Sequence, residues 1–78
     1  MITNETLIDI LVKSGADVEK QNVKPDQPFE DMGLDSLDMF NFFTQIDDDL
    51  EIEVPDEVFE QLDTLEKVRA YIESKMNG

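Results

Sequence analysis

The sequence predicts a small all-α bundle of four helices, in which three longer helices accompany one short third helix. Apolar residues recur at helical spacing in several segments of the chain. Residues 51–54 alternate instead, but the sequence offers no second strand with which they can pair. Since the chain has 78 residues and no cysteine, one hydrophobic core must hold the fold without disulfides. We therefore expect a single domain over residues 1–78.

The first helix is predicted at about residues 4–14. Thr3 or Asn4 can cap its start, and Gly15 suits the position just past its end. A long loop over residues 15–35 follows, with no sustained apolar period. Scattered apolar side chains are expected to hold this loop against the core: Val18, Val23, Phe29, Met32 and Leu34.

The second helix is predicted at about residues 36–50. Its apolar residues fall within one sector of the helix, which must face the core: Met39, Phe42, Phe43, Ile46 and Leu50. Two large apolar residues, Leu37 and Phe40, lie outside this sector. Because both are close in sequence to Ser36, we interpret them as contacts for a partner or a cargo.

The last two predicted helices are a short third helix and a longer fourth helix. Pro55 suits the first turn of a helix, which predicts a short third helix at about residues 56–61. The fourth helix is predicted at about residues 65–76, after a cap at Asp63 or Thr64. The expected inward side chains of the two helices are Val58, Phe59 and Leu62, then Leu65, Val68, Tyr71 or Ile72, and Met76.

The charge is strongly acidic and unevenly placed. The chain has 20 acidic and 6 basic residues, for a formal net charge of −14, and residues 25–66 contain fifteen acids and no base. This balance argues against nucleic acid as a partner, because phosphate contacts need a basic surface. It favours basic protein surfaces, although solvation alone also explains an acidic face. With no apolar run of about 20 residues, we expect no membrane insertion and a cytoplasmic monomer.

The composition also excludes most catalytic and metal sites. The chain has no histidine and no cysteine, which removes the commonest general base and metal ligand. The carboxylates near residue 50 do not form a calcium loop. A loop starting at Asp47 would need glycine and glutamate where Ile52 and Val58 stand. The sequence therefore predicts no catalytic residue and no metal site.

Residues 33–38, Gly-Leu-Asp-Ser-Leu-Asp, carry the most distinctive local pattern. Asp35 and Asp38 have the spacing of a capping pair around the first turn of a helix. Gly33 can supply a positive φ before that turn. Ser36 then lies at the mouth of the helix with no candidate base, so it cannot be a hydrolytic nucleophile. It is either a residue of the helix cap or an acceptor that another enzyme modifies.

Residues 29–38, Phe-Glu-Asp-Met-Gly-Leu-Asp-Ser-Leu-Asp, resemble the signature of the acyl carrier proteins. The resemblance covers nearly the whole chain, including the Val-Pro-Asp start of the third helix. It implies that Ser36, between Asp35 and Leu37, carries a 4′-phosphopantetheine arm. A phosphopantetheinyl transferase (holo-carrier synthase) would load this arm from coenzyme A with Mg²⁺. The implied function is that of a discrete, non-enzymatic acyl carrier protein for fatty-acid, polyketide or specialised lipid biosynthesis.

The resemblance implies two further sets of residues. One is a docking face for the transferase, acyltransferases, ketosynthases and other acyl-processing enzymes with basic patches: Asp35, Leu37, Asp38, Phe40, Asn41, Thr44, Asp47 and Asp48. The other is an interior acyl pocket: Phe42, Phe43, Ile46, Phe59 and Leu62. Each of the five pocket residues is also explained as an ordinary core residue.

Asn41 departs from the family pattern, because general fatty-acid carriers commonly have glutamate at this position. Phe40, Phe42 and Phe43 are also bulkier than the usual aliphatic residues. These departures favour a specialised carrier for a polyketide or modified-lipid pathway, and the alternative explanation is lineage drift in a fatty-acid carrier. The alternative function is an acidic, non-carrier interaction module that docks a basic partner.

Overall fold

Three α-helices and three short 3₁₀ helices account for the regular structure of residues 2–77, which the computed structural model describes. The α-helices are α1 (Asn4–Lys13), α2 (Ser36–Leu50) and α3 (Leu65–Asn77). The 3₁₀ helices span Lys20–Asn22, Phe29–Met32 and Asp56–Gln61. No strand occurs within residues 2–77, and the predicted all-α fold class is confirmed.

Helix α1 is capped at both ends by local hydrogen bonds. The Thr6 N–H donates to the Thr3 hydroxyl oxygen at 3.2 Å, and the Ser14 N–H donates to the Ile10 carbonyl at 2.9 Å. Gly15 follows with a φ of 98° and directs the chain away from the helix. The helix ends at Lys13, one residue before the predicted end. The helix contacts both α2 and α3, and it buries Leu7, Ile10 and Leu11.

The segment between α1 and α2 is ordered against the core. Two of the 3₁₀ helices lie within it, and neither was predicted, because segments of three and four residues are too short to show a period. The Phe29 N–H donates to the Asp63 carbonyl at 2.8 Å, and the Glu66 N–H donates to the Pro25 carbonyl at 3.0 Å. These bonds tie the segment to the start of α3. Its buried side chains are Val23, Phe29 and Leu34.

Helix α2 buries the centre of its predicted core face and leaves the ends of that face partly exposed. Phe42, Phe43 and Ile46 are buried, whereas Met39 and Leu50 are half-buried. The helix ends at Leu50, and the next residue, Glu51, has a φ of 58° in the left-handed region.

The last two elements complete the core. The predicted third helix is a 3₁₀ helix, followed by buried Leu62. In α3, the Lys67 N–H donates to the Thr64 hydroxyl oxygen at 3.2 Å. The prediction that Met76 is inward is wrong, since its side chain is 52% exposed. None of residues 73–76 is buried, so the last turn of α3 lies outside the core that Leu65, Val68 and Ile72 help to fill.

Candidate functional site

Ser36 is the first residue of α2 and is exposed to solvent. The preceding chain fixes its position. Gly33, with a φ of 82°, ends the Phe29–Met32 3₁₀ helix in the left-handed conformation that glycine adopts without strain. Leu34 then buries its side chain in the core. Ser36 is therefore held at a helix start that is anchored to the core two residues earlier.

Two carboxylates cap this start reciprocally. The Asp38 N–H donates to the Asp35 carboxylate at 3.0 Å, and the Asp35 N–H donates to the Asp38 carboxylate at 3.1 Å. The hydrogen bond from the Asp38 backbone N–H is the main reason why the pKa of Asp35 lies below its ordinary value. A carboxylate with a lowered pKa is a weaker base. The carboxylate next to Ser36 is thus suited to hold the helix start and poorly suited to take a proton from the serine.

A cleft of about 630 Å³ opens beside Ser36. It lies between the Phe29–Met32 3₁₀ helix, the start of α2 and the segment that precedes α3. Residues from all three parts line it: Pro28, Phe29, Glu30, Leu34, Asp35, Ser36, Met39, Phe59, Glu60, Leu62 and Asp63. The serine hydroxyl and an apolar surface therefore belong to one continuous space.

The structure divides the predicted acyl-pocket residues into two groups. Phe59 and Leu62 line the cleft. Phe42, Phe43 and Ile46 are at most 2% exposed and lie in the core, outside the lining of the cleft. Sequence reasoning missed seven residues of the lining as site residues: Pro28, Phe29, Glu30, Leu34, Met39, Glu60 and Asp63. For Met39, the one available signal was the 3.6-residue period, which placed it on the core face of α2. The positions of the other missed residues depend on how the loop folds back against the bundle.

The predicted docking residues lie along α2 and at its N-cap, and most of them are exposed. Leu37 is 66% exposed and Phe40 is 50% exposed. The Phe40 ring meets the Phe59 ring edge-on, with the centroids 6.5 Å apart, so Phe40 lies next to a wall of the cleft. The Thr44 hydroxyl donates to the Phe40 carbonyl at 2.9 Å. Asn41, Thr44, Asp47 and Asp48 are exposed, while Asp38 is half-buried.

The carboxylates of this face have no ion-pair partner among the residues that the structure describes. Within residues 25–66, the described ion pairs involve only two acids, Asp49 with Lys13 at 3.2 Å and Asp63 with Lys67 at 2.9 Å. Asp35, Asp38, Asp47 and Asp48 take part in none of them. Their negative potential is therefore free to attract a cationic surface from a distance.

Over residues 2–77, no group of three or more potential metal-ligating side chains comes together. In the same part of the chain, no helix combines the length and the apolar character that crossing a membrane requires.

Comparisons with known proteins agree with this geometry. The family described as "Phosphopantetheine attachment site" matches residues 6–72. The chain is 33% identical to an acyl carrier protein of Chlorobium phaeobacteroides, over 91% of each chain. It is 38% identical to an acyl carrier protein of Bdellovibrio bacteriovorus, over 86% of each chain. It is also 36% identical to an acyl carrier protein of Helicobacter hepaticus, over 95% of this chain and 97% of that one. No solved structure matches the chain.

Proposed function

The chain belongs to the acyl carrier protein family, and we propose that Ser36 is the residue that bears its 4′-phosphopantetheine arm. Members of this family are carriers rather than enzymes, and they work with acyl-processing enzymes. The non-carrier interaction module is set aside, because the match to the phosphopantetheine attachment family covers most of the chain.

The observation that carries the proposal is the place of Ser36, exposed at the anchored start of α2 and at the edge of the cleft. The group fits this chain chemically, because it supplies the thiol that a sequence without cysteine lacks. The Asp35 carboxylate is occupied by the helix cap and its pKa is lowered. The loading enzyme must therefore bring the base that takes the serine proton.

The exposed side of α2 supports a role in docking. Leu37 and Phe40 offer apolar contacts beside Ser36. Asp38, Asp47 and Asp48 lack cationic partners among the described residues. Such a surface suits enzymes that surround an apolar socket with basic residues, and charge attraction raises the rate of encounter. We assign this face to the phosphopantetheinyl transferase, acyltransferases and ketosynthases. The full set is Asp35, Leu37, Asp38, Phe40, Asn41, Thr44, Asp47 and Asp48.

The cleft supports a second role, which is to shelter the proximal part of the acyl group. Phe29, Leu34, Met39, Phe59 and Leu62 give it an apolar lining close to the attachment residue. Burial of methylene groups against these side chains lowers the free energy of a sheltered thioester by about 0.8 kcal/mol for each fully buried group.

The neutral Asn41 at the centre of the acidic face supports a carrier for a polyketide or modified-lipid pathway. Asn41 is exposed, so its amide meets the partner directly rather than filling the core. A primary fatty-acid carrier remains the alternative, and the cytoplasmic location stays a prediction. Replacing Asn41 with Glu tests the pathway: a specialised partner loses rate on this variant, whereas a primary fatty-acid synthase gains it.

Intact-mass measurement tests the attachment residue. The purified apo chain is incubated with a promiscuous phosphopantetheinyl transferase, coenzyme A and Mg²⁺. We expect one phosphopantetheine on the wild type and none on Ser36→Ala. Since Ser36 is exposed, the substitution leaves the fold intact, which circular dichroism checks. An unmodified wild type, or an adduct on Ser36→Ala, would refute the proposal.

A further inference from the structure

All five phenylalanines of the chain form one continuous row of ring contacts, which we call the phenylalanine row. Phe40 meets Phe59 with centroids 6.5 Å apart, and Phe59 meets Phe43 at 4.5 Å. Phe43 stacks on Phe42 at 5.5 Å, and Phe42 meets Phe29 edge-on at 6.0 Å. The row runs from the exposed side of α2 into the core and back to the loop that precedes α2.

The phenylalanine row meets the cleft at two of its members. Phe29 and Phe59 line the cleft, whereas Phe42 and Phe43 do not and are 0% and 2% exposed. Each lining ring is therefore backed by a buried ring, Phe59 by Phe43 and Phe29 by Phe42. The aromatic walls of the cleft are two rings deep.

Such walls resist displacement. A phenylalanine side chain is rigid. Phe42, Phe43 and Phe59 each contact two other rings of the row, and Phe42 and Phe43 lie in the close-packed interior. Met39, on another wall of the cleft, is half-buried and has a flexible thioether side chain that adapts to a ligand. An apolar chain that enters beside Ser36 can rearrange Met39, whereas a path past Phe59 towards the core requires separating Phe59 from Phe43.

We infer that Phe59, backed by Phe43, limits the length of the acyl chain that the cleft shelters. The carrier then shelters short apolar acyl groups and leaves the distal carbons of long acyl groups in water. The inference rests on the proposed function, because the acyl group reaches the cleft from an arm on Ser36. Phe59 therefore determines specificity for acyl-chain length, because it sets the depth of the cleft and takes no part in the chemistry of the thioester.

A series of acyl forms measures this limit. The apo chain is loaded with acetyl-, butanoyl-, hexanoyl-, octanoyl-, decanoyl- and hexadecanoyl-phosphopantetheine from the corresponding coenzyme A thioesters. The Tm of each acyl form is compared with that of the thiol form of the same protein. In the wild type, we expect the gain in Tm to grow with chain length up to octanoyl and to stay flat beyond it. A gain that keeps growing to hexadecanoyl would overturn the inference.

Two matched substitutions locate the limit. Phe59→Leu opens the wall, and we expect the flat part of the series to begin at least one member later, at decanoyl or beyond. Tyr71→Leu removes a half-buried aromatic ring that does not line the cleft and lies outside the phenylalanine row, and the series is expected to stay as in the wild type. An unchanged series in Phe59→Leu, or equal changes in both variants, would overturn the inference. Each gain in Tm is measured relative to the thiol form of the same variant, so a general loss of stability cancels. If Phe59→Leu does not fold, Phe59→Met replaces it.

Failure of the proposed function and failure of the limit at Phe59 give different results. If the wild type accepts no phosphopantetheine, the proposed function fails and this inference fails with it. If the arm is present on Ser36 and the Tm series does not level off, the proposed function stands and the limit at Phe59 is wrong.

Discussion

The two sides of the bundle treat charge in opposite ways. The paired side, which consists of α1, α3 and the Lys20–Asn22 3₁₀ helix, carries five of the six basic residues. Its described ion pairs are Lys13–Asp49, Lys20–Asp9, Lys67–Asp63 and Arg69–Glu73. The open side, which consists of α2 and the Asp56–Gln61 3₁₀ helix, carries no basic residue. Charge is neutralised locally on the first side and left uncompensated over most of the second.

Apolar residues follow a similar division. On the paired side, Leu7, Leu11, Val68 and Ile72 are fully buried. The open side also fills the core, but it exposes Leu37 and Phe40 beside Ser36. Both sides therefore stabilise the fold, and the open side in addition keeps two large apolar side chains and acids outside the described ion pairs available to other molecules beside Ser36.

Truncation of a core leucine on the paired side should have the largest effect. Leu11 is 0% exposed, so Leu11→Ala removes buried methyl groups and leaves a cavity. We expect the free energy of unfolding to fall by about 2–5 kcal/mol. For a chain of 78 residues this is a large part of the total, which is of the order of 4–12 kcal/mol. Urea denaturation followed by circular dichroism measures the loss, and a loss below about 1 kcal/mol would show that the paired side does not hold the fold.

Truncation of a leucine on the open side should instead impair docking. Leu37→Ala is expected to lower the kcat/KM of phosphopantetheine loading about tenfold, the effect of losing a central apolar contact of about 1.4 kcal/mol. Its free energy of unfolding should stay within about 0.5 kcal/mol of the wild type. The control is Met76→Ala, which truncates a comparably exposed side chain on α3. Equal loading rates for Leu37→Ala and Met76→Ala would contradict a special role for the open side.

Two double variants of equal net charge should show different effects when the acids are removed from different sides. Asp47→Asn with Asp48→Asn, and Asp9→Asn with Glu73→Gln, each change the formal net charge from −14 to −12. The first pair removes acids outside the described ion pairs, and the second pair removes partners of Lys20 and Arg69. We expect the first pair to slow loading about threefold at low salt and the second to leave it unchanged.

The difference between these variants should vanish at high salt, because screening removes long-range attraction. Loading rates measured from low to high ionic strength test this directly. A slowing of equal size in both double variants would mean that net charge, and not its place on the open side, governs the encounter.

The smallest effect concerns the pH dependence of the cap at Ser36. The pKa of Asp35 is lowered in the folded chain, chiefly by the Asp38 N–H. Because the pKa of Asp35 is lower in the folded than in the unfolded chain, the ionised cap stabilises the fold at any pH above the unfolded pKa. This stabilisation is lost as the pH falls through the folded pKa. Carboxyl-detected NMR titration should place the midpoint of Asp35 below its usual 3.8. A midpoint at or above 3.8 would show that the cap does not form in solution.

The sequence contains enough local information to predict the helix that presents Ser36. The three-residue spacing of Asp35 and Asp38 predicts a reciprocal cap, and both hydrogen bonds are present. The helical period separates Phe42, Phe43 and Ile46, which are buried, from Leu37 and Phe40, which are exposed. These features depend on residues close together in sequence, and local pattern is therefore sufficient.

The cleft and the ends of the elements depend on contacts between distant residues. Glu60 and Asp63 line the cleft because the loop before α2 is tied to the start of α3 by the Phe29–Asp63 backbone hydrogen bond. No local sequence pattern predicts that hydrogen bond. The incorrect prediction for Met76 has the same cause. The helical period places Met76 on the inward side of α3, but none of residues 73–76 is buried by another part of the described chain.

The place of the arm is the most direct test of the open side's function. The chain has three serines, Ser14, Ser36 and Ser74, and trypsin separates them into different peptides because lysines lie between them. After loading with a phosphopantetheinyl transferase and coenzyme A, peptide fragmentation should find the added mass on the peptide that contains Ser36, at the serine itself. The same group on Ser14 or Ser74, both outside the open side, would contradict the assignment.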